Sequence, residues 1–125
     1  MKYKYSASEA RKINKFGVDI AIYDANISTN NVVYEEVEVG HLEEFSDDVS
    51  THMWFIIEGK GTFVIDDEKV EALKNDLVVV PPKKRIHYFG KMRMLLCTTP
   101  SFNAENEHHV RDVNPEESPY YKAAG

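Results

Sequence analysis

From Gly17 onward the chain is a succession of short runs rich in β-branched and aromatic residues. They read VDIAIYDA, NVVYEEVEV, HMWFIIEG, GTFVID, KVEAL, DLVVVPP, IHYFG and MRMLLCTTP. Side chains of this kind fit a pleated, half-buried surface. Turn-forming residues punctuate the runs: Thr29-Asn30-Asn31, Gly40, Gly59-Lys60-Gly61, Asp66-Asp67-Glu68, Lys74-Asn75-Asp76 and Pro81-Pro82,. Many short strands with regular turns predict an all-β sandwich or barrel. GTFVIDDEKVEAL reads as a hairpin with its acidic turn at the surface.

Only the N-terminal stretch has a different pattern. In SASEARKINKF, Ser6 followed by Glu9 forms a capping-box signature, Arg11, Lys12 and Lys15 crowd the far end, and Gly17 supplies a stop,. One short helix is expected there, with Ile13 and Phe16 packed on the sheet. The 125 residues suit one domain,, with a core over about 32–100, the helix and a strand within 6–25, and a C-terminal strap over 101–125. A net charge of −6 argues against a broad nucleic-acid surface,. No run is long and apolar enough to cross a bilayer, and no signal-peptide pattern opens the chain, so a cytoplasmic location is expected. Cys97, the single cysteine, reads as a small buried hydrophobe without a disulfide,.

Two blocks, GHLEEFSDDVSTHMWFIIEGKG and NDLVVVPPKKRIHYFG, resemble the paired motifs of the cupin family. Gly40 and Gly59 fall where the first motif keeps its glycines. The positions of the family's metal-binding His, His and Glu hold Ser46, Asp48 and His52. In the second motif Asn75, Pro81 and Lys83 align, and the expected His is Ile86. The resemblance covers roughly Val32 to Pro100 and implies a small antiparallel jelly-roll barrel with a central pocket. The usual donor set is mostly missing, so neither a metal nor another cofactor is expected. His87 should point away from a pocket that Ile86 faces, because successive strand side chains alternate.

Taking His52 as pocket-facing, the same alternation places Trp54, Ile56 and Glu58 beside it, and Met53, Phe55 and Ile57 on the other face. Ile86 and Tyr88 then face inward together. The expected ligand site is therefore Asp48, His52, Trp54, Ile86 and Tyr88, with His52 and Tyr88 the candidates for catalysis. On NVVYEEVEV, Tyr34, Glu36 and Glu38 share the face read as solvated, and Glu35 lies with Val33, Val37 and Val39. His41 reads as a surface histidine in a loop. Glu105, Glu107, His108 and His109 read as a polar end segment.

An apolar and aromatic wall with a few polar tips suits a small polar molecule, such as a carbohydrate or related metabolite, bound without metal. Two alternatives stay open. One is a metal-independent isomerase or epimerase with His52 as base, Tyr88 or Tyr34 as acid and Asp48 orienting the histidine. The other is a metal-dependent cupin enzyme recruiting Asp48 and His52 with His87 or His108. Apolar residues on both faces of MWFII further predict a homodimer through a barrel face or edge.

Overall fold

In the computed structural model, which describes residues 1–122, the chain is an antiparallel β-structure of nine strands curled into a barrel-like sheet. They are β1 (Arg11–Lys15), β2 (Val18–Ile22), β3 (Asn31–Val37), β4 (Glu43–Asp47), β5 (Thr51–Ile65), β6 (Glu68–Leu73), β7 (Leu77–Val80), β8 (Ile86–Thr99) and β9 (Glu107–Asp112). This is the cupin-like jelly-roll architecture that the two blocks implied. Residues 123–125 of the expected strap lie outside the described residues.

The two long strands form the spine. β5 and β8 pair along nearly their whole length, from Thr51↔Thr99 to Ile65↔Ile86. The first part of β5 also pairs with β7 and the second part with β6, while β8 hands its other edge to β3 and, at Ile86, to β4. A bulge between Ile56 and Glu58 shifts the register, and such an extra residue reverses the facing of everything beyond it. His52, Trp54 and Ile56 therefore point inward before the bulge, and Phe63 does so after it. Glu58, expected on the inner face, lies at the bulge and is exposed. Trp54, Ile56, Phe63, Ile86, Tyr88, Met92 and Met94 form the centre of the core.

The N-terminal helix is not formed. Ala7–Glu9 make one 3-10 turn, Ser6 gives no side-chain cap, and Arg11–Lys15 form a strand paired to β2. Phe16 and Gly17, at φ 50° and 90°, are the two central residues of the hairpin. Positive φ at both positions matches the twist of paired strands. The open edge of β2 thus overrides the helical signals, and Gly17 turns a hairpin instead of ending a helix. The segment read as a polar end, Glu107–Asp112, is likewise a strand, paired with β4.

Beyond the bulge, outward side chains of β5 and β8 are covered by the segment that follows β9. Val64, Phe89 and Val113 are buried together with Tyr120 against them. His87 belongs to this outward set and is buried at 5.3 Å from the Phe89 ring. Before the bulge the outward face carries Phe55 opposite both Leu77 and Leu95, with Val79 one pair along, and all four are exposed. Cys97 lies half-buried on that face opposite Met53.

The bulge sets a strict demand at Gly59, which has φ +88°; a Cβ there would lie 2.0 Å from the Lys91 carbonyl oxygen. Backbone cannot yield as a flexible side chain can. Gly59→Ala is expected to destabilise the fold by roughly 2–4 kcal/mol, read as a lowered urea midpoint at unchanged m-value.

Candidate active site

A cavity of about 790 Å³ opens between the β1–β2–β3 hairpins and the inner face of β5 and β8. Its volume lies within the range of small-molecule sites. Below it, Glu35 on β3 shares the inner face with Val33 and Val37 and is only 3% exposed. Its Oε1 accepts two hydrogen bonds, from Trp54 Nε1 and from the Tyr88 hydroxyl, each at 3.0 Å. Burial raises the Glu35 carboxyl above the ordinary range, although both hydrogen bonds oppose the shift,. Tyr88 is pushed well above its usual value, first by burial and then by the Glu35 charge, so it stays a neutral donor. One carboxyl thereby fixes an indole and a phenol drawn from two other strands.

His41 stands beside this group, in the segment between β3 and β4. Its backbone N–H donates to the Tyr88 carbonyl at 2.8 Å, and its ring is 5.5 Å from the Tyr88 ring. Only 5% exposed, it lines the cavity. Burial lowers its pKa to about 4. The Nδ1 atom lies 2.8 Å from the Glu43 carbonyl oxygen. A carbonyl can only accept, so the neutral ring carries its proton on Nδ1 and keeps a lone pair on Nε2. This is the form required of a general base.

A positive charge comes from β1. Lys15 Nζ donates to Glu107 Oε1 on β9 at 2.6 Å, half-buried, with the Phe102 ring 5.3 Å away; all three residues line the cavity. His52, buried and also lowered to about 4 by burial, stacks on Trp54 at 5.5 Å between centroids. At the rim, Arg11 and Asp24 pair through two hydrogen bonds of 3.0 and 3.1 Å.

The residues expected from sequence separate into three sets. His52 and Trp54 line the cavity. Tyr88 and Ile86 lie in the core beneath it, Tyr88 reaching the site through Glu35, and Ile86 packed opposite Phe45. Asp48 does not reach the cavity: it sits past the end of β4, half-exposed, and accepts from His108 Nε2 at 2.6 Å. The residue facing His52 is its neighbour Asp47, because alternation at the end of β4 sends Asp47 inward. The inner residues not anticipated are Lys15, Glu35, His41 and Glu107. Glu35 was legible as the single charged residue on a valine face. Lys15 was hidden by the helical reading, and nothing local marks His41 as buried.

The metal-motif positions do not form a donor set. Ser46 is paired with His108 in the β4–β9 ladder, Asp48 is at the surface, His52 is in the cavity and Ile86 is apolar. His87 lies on the outward face, near Glu44 at 3.4 Å. Among the described residues no group of three or more His, Cys, Asp or Glu is placed to hold a metal, and no helix is long and apolar enough to cross a membrane.

The chain has counterparts among known proteins. Streptomyces Pac13, described as a unique nucleoside dehydratase, is 42% identical over 96% of this chain and 100% of its own, with a TM-score of 0.95. A histidine-to-glutamine variant of Streptomyces Pac13 with uridine superposes equally well, at 41% identity over 96% and 100% of the two chains. An RmlC-like cupin from Shewanella frigidimarina shares the fold alone, at 13% identity over 84% and 96% of the chains and a TM-score of 0.69. An uncharacterized protein of Methanocaldococcus jannaschii is 33% identical over 61 residues, 46% of this chain and about half (49%) of that protein. No protein-family model matches the chain. The chain belongs to the family that includes Pac13, and its fold is cupin-like.

The two buried histidines make stability depend on pH. Both have folded pKa values of about 4 against an ordinary 6.5. Between these values the unfolded chain binds the protons, so stability is full above about 6.5 and falls as pH drops toward about 4. Each histidine contributes on the order of 3 kcal/mol to that loss. Urea midpoints measured from pH 7 to 4.5 should fall steeply, and His52→Gln should flatten the slope.

Proposed function

We propose that this protein is a dehydratase acting on the sugar of a nucleoside, with its own side chains supplying the acid and the base and no metal taking part. The observation that carries the reading is His41: a buried neutral imidazole with Nδ1 engaged and, among the described residues, no hydrogen bond at Nε2, in one cavity with the Lys15–Glu107 pair. Its likeness to Pac13 supplies the substrate class. The carbohydrate expected from sequence is thereby narrowed to a nucleoside, and the base moves from His52 to His41. The donor set described above gives no reason to route a step through a metal.

In this reading His41 Nε2 removes a proton from a sugar carbon, one whose C–H is acidified by a neighbouring carbonyl. The C–H pair forms the new C=C bond as the C–O bond breaks, and the Lys15 ammonium gives the leaving hydroxyl its proton, so that water departs. The imidazolium and the amine then exchange the proton with solvent. Glu107 holds Lys15 in place, and Glu35 holds the Trp54 indole and the Tyr88 hydroxyl against the ligand pocket. Trp54 offers a flat apolar wall for a base or a sugar face.

Trp54 is the single tryptophan of the chain, so its fluorescence reports binding directly. Uridine should change it saturably. With a nucleoside substrate, mass spectrometry should detect loss of one water. His41→Gln and Lys15→Met should each lower turnover at least about 100-fold, with uridine affinity held within several-fold. Turnover unaffected by His41→Gln would remove the assignment. Since the base must be neutral, kcat/KM should decline as pH falls through about 4.

The exposed apolar face around Phe55 supports a homodimer as well. Nothing from the N-terminal segment covers it, because β1 is paired at the far edge of the sheet with β2. A second copy presenting the same patch about a two-fold axis would bury Phe55, Leu77, Val79 and Leu95 together. Sedimentation at micromolar concentration should give twice the 14.4 kDa chain mass, and Phe55→Asp should yield monomer.

A further inference from the structure

Asp47 closes β4 and is 4% exposed. Its Oδ1 accepts two backbone N–H groups, from Val49 at 2.9 Å and Ser50 at 2.8 Å. Its Oδ2 is buried and has no hydrogen-bond partner among the described residues. A carboxylate oxygen left so is costly, and a donor must be directed at it. His52 Nε2 lies 3.9 Å from Oδ2, the nearest approach of a basic side chain to Asp47 among the described residues.

We infer that Asp47 is a positioning residue: it holds His52 as the Nε2–H tautomer, leaving Nδ1 as a hydrogen-bond acceptor for an N–H or O–H group of the bound ligand. A neutral imidazole has one donor and one acceptor. With the proton on Nε2, the donor faces a carboxylate. With the proton on Nδ1, two lone pairs face each other in a buried site, which is unfavourable in a low dielectric. Two ring contacts, on a backbone held in the sheet from both sides, give the tautomer a direction. The ring stacks on Trp54 and meets the Phe45 ring edge at 5.8 Å, while the His52 backbone is paired with Thr98 on one side and Val80 on the other. His52 lines the cavity, and among the described residues no hydrogen bond occupies its Nδ1. Burial keeps the ring neutral at ordinary pH. His41 and His52 thus carry opposite tautomers in one cavity, the first exposing Nε2 and the second Nδ1. The inference rests on the cavity being the ligand site; it does not depend on the reaction.

The two backbone N–H groups at Oδ1 give the test its direction. In Asp47→Asn they demand the amide oxygen at that position, which turns the NH2 toward His52 Nε2. Nε2 must then accept, and the proton moves to Nδ1. Long-range proton–nitrogen NMR on the ligand-free protein, with the His52 signals identified by their loss in His52→Gln, should show Nε2–H in the unsubstituted protein and Nδ1–H in Asp47→Asn. Uridine affinity, read from Trp54 fluorescence, should fall about tenfold or more in Asp47→Asn. An Nδ1–H tautomer in the unsubstituted protein overturns the inference, even if the variant does not fold. An unchanged tautomer in a folded variant overturns it too. An inverted tautomer with unchanged uridine affinity overturns the ligand contact. If the unsubstituted protein fails to bind uridine, the nucleoside reading fails, while the tautomer measurement still supports or overturns the role of Asp47.

Discussion

The pairing of β5 with β8, interrupted once by the bulge at Ile56–Glu58, decides which side chains reach the interior. Period-two alternation would carry one face along all of β5. The extra residue reverses it, so that the same strand supplies His52 and Trp54 to the cavity and Phe63 to the core. On β8 the alternation runs unbroken, sending Ile86, Tyr88, Met92 and Met94 inward and His87 and Phe89 under the chain's final segment. The cavity and the second cluster are therefore two sides of one ladder. Gly59 permits the bend because backbone approaches where a Cβ would be.

Glu35 shows how a buried charged residue can join the framework and the cavity wall. An ionisable group with 3% exposure is tolerated only when partners satisfy it. Trp54 and Tyr88 do so from β5 and β8, so β3 is fastened to the spine by polar bonds inside an apolar layer. Such a network specifies a single arrangement of the aromatic side chains. The wall presented to a ligand is therefore shaped in advance, and little ordering remains to be done when the ligand enters.

The barrel could be read from the sequence because it is written in local terms. Strand runs, turn residues and two spaced blocks each report on their own neighbourhood; His52 came from its motif position, and Trp54 followed from it by alternation along one strand. What could not be read depends on contacts distant in sequence. Arg11–Lys15 carries cations and a cap signal that suit a helix, but the β2 edge and the Phe16–Gly17 turn make it a strand. His41 lies in a loop and is buried only because Tyr88, Phe45 and Phe16 close around it. Asp48 and Asp47 were separable only by the facing of β4, and a bulge at Glu44–Phe45 disturbs that facing. A motif position transfers a backbone location, whereas the register decides which neighbour's side chain arrives there.

Lys15 and Glu107 are 92 residues apart. Bringing β1 and β9 to the same cavity closes a loop over most of the chain, and such long loops add a slow, entropically demanding step to folding. The spine, the Glu35 network and the core need none of it. A molecule can therefore have a finished interior and an incompletely assembled charge pair. Both strands lie at sheet edges, held on one side only, and edges are where local opening is easiest. The ion pair thus acts as a reporter of completion: it exists only when the first and last strands have docked, so fraying at either terminal strand breaks it long before the barrel melts.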